Sequence, residues 1–114
     1  MSRVNNMNDH NIEQEIKDKG LTAPRVTPEH IESVIVSEQF HVFEGSTFTS
    51  CLLTLKNGFT VHGESACASP ENFDAELGRK IARDNAKNKI WMLEGYLLRE
   101  SLSALKRNTI VYEK

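Results

Sequence analysis

The sequence predicts an α+β domain: an antiparallel sheet formed by a β-hairpin or meander packs against one long C-terminal helix, and a short helix precedes the sheet. Three observations support this. Asn57-Gly58 separates two strand-like segments, Thr27-Pro28-Glu29 starts a helix, and helix-rich sequence runs from Ser69 to about Lys106. The chain of 114 residues is long enough for one core only. We expect a partly flexible N-terminal extension over residues 1–26 and a single domain over residues 27–114.

The N-terminal extension has little to bury. Residues 1–8 are polar and rich in asparagine, so we expect a frayed terminus. A short helix from Asp9 would place Ile12 and Ile16 on one side and end at Gly20. Residues 21–26 then predict a linker. The domain begins at Thr27, whose hydroxyl can cap a short helix with Pro28 in its first position.

Strand character covers residues 39–43 and 47–56, and a two-residue hairpin loop at Asn57-Gly58 leads into the next strand. This loop pairs Lys56 with Phe59 and Leu53 with His62. One face of the hairpin then carries Phe48, Leu52, Thr54, Phe59 and Val61, and the other carries Cys51, Leu53, Leu55 and His62. Both faces are partly apolar, so we expect the long helix to cover one and a second subunit to be available for the other.

The long helix starts after Ser69-Pro70-Glu71, with Ser69 as its cap, and a bend near Gly95 is one option. At 100° per residue its predicted inner face holds Leu77, Gly78, Ile81, Ala82, Ala86 and Leu93. The predicted opposite face holds Glu76, Arg79, Lys80, Arg83 and Lys87. Residues 108–112 form a β-like tail that could add an edge strand, in this chain or on a partner.

Composition restricts the function classes. The net charge of −2 gives no reason to expect a nucleic acid polymer or an anionic membrane as partner. No apolar run approaches the roughly 20 residues that span a bilayer. The two cysteines cannot form a disulfide framework or, without histidine, a zinc site. We therefore expect a cytoplasmic protein with no cofactor and no metal. Acids dominate residues 9–44 and bases dominate residues 79–107, so the two ends of the domain carry opposite charge.

No catalytic constellation stands out, and we expect that the protein is not an enzyme. Glycine-rich phosphate loops and nucleophile elbows are missing from the sequence. The predicted register does place His62 diagonal to Cys51, and a thiolate stabilised by an imidazole is a nucleophile. The commoner role of such a histidine is structural, at the edge of a sheet.

The candidate ligand-binding residues surround the start of the long helix. They are Ser65, Ser69, Asn72, Phe73, Arg79, Arg83 and Asn85. A helix N-terminus suits an anion, an aromatic ring offers a flat surface, and guanidinium groups grip phosphate. The alternatives are a capped strand-to-helix connection, a solvated basic face, and an amide at Asn85 that ties the helix to the sheet backbone. Trp91 and Leu98 form a candidate apolar interface for a homodimer or a higher homo-oligomer.

Several segments together resemble a family of small tailed-phage proteins, named after gene product forty-nine of a coliphage and gene product sixty-six of a Shigella phage. They are Thr27-Pro28-Glu29-His30-Ile31-Glu32, Leu55-Lys56-Asn57-Gly58-Phe59-Thr60-Val61, Asn72-Phe73-Asp74, and residues 63–70 and 85–98. The resemblance implies an accessory, non-virion phage protein in the cytoplasm of the infected host. A weaker resemblance is to phage sponge proteins that sequester the cyclic ADP-ribose signal of the Thoeris defence.

Two functional hypotheses follow. The first is a protein that binds and sequesters a small cyclic nucleotide defence signal. The alternative is a protein-interaction module that inhibits or modulates a host enzyme, using the acidic N-terminal half or the patch around Trp91.

Overall fold

The computed structural model describes residues 6–107, with side chains from His10 to Lys106. Its elements are α1 (Asn6–Asp18), α2 (Pro28–Ser33), β1 (Ile35–Val42), β2 (Phe48–Leu55), β3 (Thr60–Ala66), a 3-10 turn (Pro70–Asn72) and α3 (Ala75–Arg107). The predicted frayed start falls largely, and the predicted β-like tail entirely, outside the described residues. No helix in the described part of the chain combines the length and the apolar character needed to cross a membrane.

A three-stranded antiparallel sheet in the order β1-β2-β3 lies against α3, which confirms the predicted α+β architecture. The local signals work as expected at α2, where the Thr27 hydroxyl accepts a hydrogen bond from the backbone N–H of His30 at 3.1 Å. The core lies between sheet and helix. Its buried apolar residues are Ile31, Val34, Cys51, Leu53, Leu55, Val61, Ala82, Ala86 and Ile90.

The predicted register of the β2–β3 hairpin is wrong by one residue. Leu53 pairs with Val61 and Leu52 with His62, and the loop has three residues, closed by Leu55 N–H donating to the Phe59 carbonyl at 2.8 Å. Gly58, with φ of 91°, takes the left-handed conformation of a three-residue loop. The Lys56 N–H donates instead to the Val34 carbonyl, so a contact outside the hairpin decides the loop.

A one-residue shift moves side chains between the faces of a sheet. Val61 joins Cys51, Leu53 and Leu55 in the core, whereas His62 lies on the exposed outer face. The core is therefore on one side of the sheet only.

Small residues allow α3 to approach β3 closely. A Cβ atom at Gly63 would stand 2.3 Å from the backbone nitrogen of Ala86 and 2.4 Å from the carbonyl oxygen of Ala82. Ala82 and Ala86 are fully buried, as the sequence predicts, and Ile90 continues the same buried line. The wider inner face predicted from the sequence is wrong at Leu77, Ile81 and Leu93, which are exposed, because the sheet has too few strands to cover so broad an arc of the helix.

Candidate functional site

The connection before α3 is organised by Asp74, not by Ser69. The Asp74 carboxylate accepts from the Leu77 N–H at 3.1 Å, and its carbonyl accepts from the Gly78 N–H at 2.8 Å. Ser69 precedes the 3-10 turn and makes no capping hydrogen bond with its side chain. The predicted cap was misplaced because Pro70 starts a separate turn, and an aspartate now occupies the N-terminus of α3, where a bound anion would sit.

The other candidate residues of this segment do not share one pocket. The Ser65 hydroxyl donates to the Gly78 carbonyl at 2.8 Å, and Asn72 is exposed. Phe73 is half-buried, with its ring 3.8 Å from the position that a Cβ of Gly78 would take. The Thr49 hydroxyl lies against the same glycine, fully buried and without a hydrogen-bond partner among the described residues. The structure brings Ser65 and Phe73 together around Gly78 and leaves Asn72 in solvent.

The predicted basic stripe divides into two parts. Arg79 and Lys80 are exposed, and Arg79 takes part in no ion pair or side-chain hydrogen bond among the described residues. Arg83 and Lys87 instead turn towards α2 and β1, so their predicted place on a solvated outer face is wrong. Acidic partners distant in the sequence decide their direction.

Arg83 is the centre of an ion-pair cluster that joins three elements. Its Nε donates to the Glu38 carboxylate of β1 at 2.6 Å, and its Nη2 donates to Glu32 of α2 at 3.1 Å. Lys87 Nζ lies 3.2 Å from the same Glu32. The hydrogen bond from Arg83 is the main reason why the pKa of Glu32 lies below its ordinary value, and Glu32 in turn raises the pKa of Arg83. This cluster neutralises both cations within the chain.

Asn85 connects helix to sheet. Its side-chain N–H donates to the Glu64 carbonyl of β3 at 2.8 Å, which satisfies an amide placed beside the buried alanines. Of the two predicted roles for this amide, the structure displays the tie to the sheet backbone.

The thiol–imidazole pair predicted from the register does not form. Cys51 is fully buried on the core face, and His62 lies on the opposite face, 3.3 Å from the Glu64 carboxylate. Burial raises the pKa of the Cys51 thiol to about 11, so it stays protonated at neutral pH. Cys67 is also a free thiol, and its Sγ donates to the Ser69 carbonyl at 3.1 Å. No three metal-ligating side chains cluster among residues 10–106.

The candidate interface residues lie in half-buried positions. Trp91 packs against the core and lines a cavity that α1 closes from the other side. Leu98 lines a second cavity between α2 and α3, where His30 Nε2 lies 2.8 Å from the Glu94 carboxylate.

A different part of α3 is open. We call it the α3 apolar face: Met92, Leu93, Tyr96 and Leu97 lie side by side beyond the end of the sheet and keep 37 to 78% of their surface exposed. The sequence analysis missed this surface. The lengths of the elements could have indicated it, because a 33-residue helix is about 50 Å long and a strand of eight residues is only about 26 Å long.

Comparison with known proteins places the chain in a family. No curated protein and no solved structure matches it. The similarity to Thoeris sponge proteins thus gains no support from these comparisons. One family model matches residues 26–102, described as a phage protein family of N4 Gp49 and phage Sf6 gene 66. The match takes in α2, the whole sheet and α3 as far as Leu102, and the chain therefore belongs to this phage protein family.

Proposed function

We propose that this phage protein is a non-virion, non-catalytic binding protein that acts as a homodimer in the cytoplasm of the infected bacterium. The observation that carries the proposal is the α3 apolar face. Contiguous exposed apolar patches are uncommon on monomeric proteins and mark interaction sites. The α3 apolar face is a patch of this kind, because its four large side chains are exposed together where the helix extends beyond the sheet.

The charges beside the α3 apolar face favour a second copy of the chain as its occupant. Two α3 helices that pair antiparallel around the midpoint of residues 94 and 95 bring Lys89 of each copy opposite Glu100 of the other. Both residues lie on the same side of the helix as Tyr96 and Leu93. A two-fold interface repeats each contact, so this pairing would surround the apolar residues with two ion pairs.

The test compares matched charge insertions. Met92→Glu combined with Tyr96→Glu should convert a dimer into a monomer, measured as molar mass by light scattering during size exclusion. Leu105→Glu is the control, because Leu105 is 77% exposed on the same helix but lies about 150° around it from the α3 apolar face. A wild-type chain that is monomeric at high concentration would contradict the proposal, as would a double variant that remains dimeric.

A charge exchange tests the predicted pairing itself. Lys89→Glu should weaken the dimer, and adding Glu100→Lys should restore it, because the exchanged pair recreates the attraction with opposite polarity. If the second change does not restore the dimer, this antiparallel arrangement is rejected, while the α3 apolar face remains the proposed interface.

A host protein is one target that such a dimer could bind, as a protein-interaction module that modulates a host enzyme. The supporting observation is β1, an edge strand with Val36 and Phe43 exposed beside it. Edge strands pair readily with an added strand of another protein. Affinity capture from bacterial lysate should yield one stoichiometric host protein, and Val36→Lys with Phe43→Lys should lose it.

Sequestration of a small cyclic nucleotide is the second candidate. It is favoured by Arg79, an exposed guanidinium one turn into α3 that pairs with none of the described residues, with Phe73 and Asn72 just before the helix. The carboxylates of Asp74 and Glu76 at the same helix end oppose an anion. Calorimetry with cyclic ADP-ribose isomers and cyclic dinucleotides decides: binding that Arg79→Ala abolishes supports this target, and no heat from any of them rejects it.

A further inference from the structure

A cavity of about 540 Å³ separates α1 from the side of α3 and belongs to none of the sites above. Trp91, the only tryptophan of the chain, lines it together with Val26, which precedes α2, and Pro28, the first residue of α2. Ile12 and Ile16 line it from α1. A volume of this size, with mainly apolar and aromatic walls, is typical of a binding site for a small organic molecule.

The polar groups of this cavity are few and carry no net charge. Glu13 is almost fully buried and forms an ion pair with Arg25, so its charge is neutralised within the chain. Asn88 contributes a half-buried amide that has no hydrogen-bond partner among the described residues. An ionic ligand would lose its hydration here without meeting an opposite charge, which disfavours it.

Trp91 provides the aromatic wall of the cavity. Its indole N–H is buried and donates to no acceptor in the described part of the chain. Because water cannot reach this N–H, it does not open into the cavity, which meets the ring of Trp91 instead. The indole ring is also a good surface for stacking a flat molecule.

We propose that this cavity binds a neutral, ring-containing small molecule that carries a hydrogen-bond acceptor. The apolar walls and the Trp91 ring hold the ring system, and the Asn88 amide provides the polar contact that orients it. The site is separate from the α3 apolar face, so it does not depend on dimer formation.

The test uses prodan, a neutral naphthalene with a ketone acceptor whose emission responds to polarity. Addition of the full chain should raise its emission and shift it to the blue, with one dye bound per chain. Emission from Trp91 should fall in parallel by energy transfer. Ile12→Lys, at an exposed lining position, should weaken binding about tenfold by placing a charge in the cavity. Leu21→Lys, equally exposed but outside the lining, should leave it unchanged.

Two further measurements define the ligand class. An anionic anilinonaphthalene sulfonate should bind at least about tenfold more weakly than prodan, since the cavity offers no unpaired cation. Asn88→Leu, which keeps a side chain of similar size and removes the amide, should weaken prodan binding about fivefold by the emission of the dye.

Several outcomes would overturn the proposal. No saturable binding of prodan would reject it, and so would binding that Ile12→Lys leaves unchanged. Binding that the Met92→Glu, Tyr96→Glu variant abolishes would assign the dye to the α3 apolar face instead. Equal affinity of Asn88→Leu, folded by circular dichroism, would reject the role given to the Asn88 amide.

Discussion

The two halves of α3 have similar local character and opposite environments. From Ala75 to about Trp91 the helix lies on the sheet, with Ala82, Ala86 and Ile90 fully buried. From Met92 to Arg107 it continues past the strands, and the large apolar side chains of Met92, Tyr96 and Leu105 are mostly exposed. A helical pattern alone therefore does not say which residues are covered. The length of the sheet decides that, and its end divides the helix into a structural half and a half available for binding.

The strongest challenge to this division is Gly63→Val. The new side chain would collide with the backbone of α3 at Ala82 and Ala86, and backbone atoms cannot move aside as a flexible side chain can. We expect a loss of about 3 kcal/mol or more in the free energy of unfolding, measured by chemical denaturation. The control is Gly95→Ala in the outer half, where a Cβ meets nothing within 4 Å and the helix should gain up to about 1 kcal/mol. A stable Gly63→Val variant would show that the close contact is dispensable.

A matched pair of truncations sharpens the same contrast. Ile90→Ala removes a fully buried side chain and should cost about 2–4 kcal/mol. Leu97→Ala, about two turns later, should change the stability of the monomer by less than about 0.5 kcal/mol. Both are best measured in the Met92→Glu, Tyr96→Glu background, so that dimer formation does not add to the result. Equal losses at the two positions would mean that Leu97 is covered within its own chain.

The ion-pair cluster of Arg83 gives an intermediate effect. Arg83→Met should lower the free energy of unfolding by about 1–2 kcal/mol, because Glu32 and Glu38 lose their shared partner. Arg79→Met is the control at an exposed position that forms no ion pair within the described part of the chain, and its free energy of unfolding should fall within about 0.5 kcal/mol of the wild type. Similar free energies of unfolding for the two variants would mean that Arg83 lies on the solvated face, as the helical periodicity of the sequence predicts.

The smallest expected effect is a pH dependence from Glu32. Its pKa in the folded state lies below the ordinary value of 4.5, so its contribution to stability is present above that pH and is lost as the pH falls through the lower value. Wild type and Glu32→Gln should therefore differ near neutral pH and converge in acid, as followed by denaturation at several pH values. Solvent screens this half-exposed carboxylate, which keeps the difference small. A constant difference at every pH would exclude the titration of Glu32 as its source.

Short-range signals were enough to predict the helices and strands, whereas contacts between distant residues determine the details that the prediction missed. Thr27-Pro28 and Asn57-Gly58 mark a helix start and a turn by short-range chemistry, so the architecture was predictable. The hairpin register was not, because the N–H of Lys56 bonds to Val34, far outside the turn.

The candidate site shows the same limit. Arg83 turns inwards because it binds Glu38 and Glu32, which lie 45 and 51 residues away in the sequence. A helical wheel contains no information about such distant partners. The sequence indicates that the Asn85 amide needs a hydrogen-bond partner, but the fold is required to identify that partner as the Glu64 carbonyl. The cavity at Trp91 was out of reach, since it depends on where α1 docks.

The residues that line the cavity at Trp91 come from two parts of the chain, one inside the family match and one before it. Trp91, Asn88 and Pro28 lie within residues 26–102, which the family model matches, whereas Ile12 and Ile16 belong to a segment that precedes it. A change in α1 can thus reshape what the cavity accepts while the sheet and α3 stay as they are. The selectivity of this protein for its ligand would then evolve through substitutions in α1, without changes to the sheet or to α3.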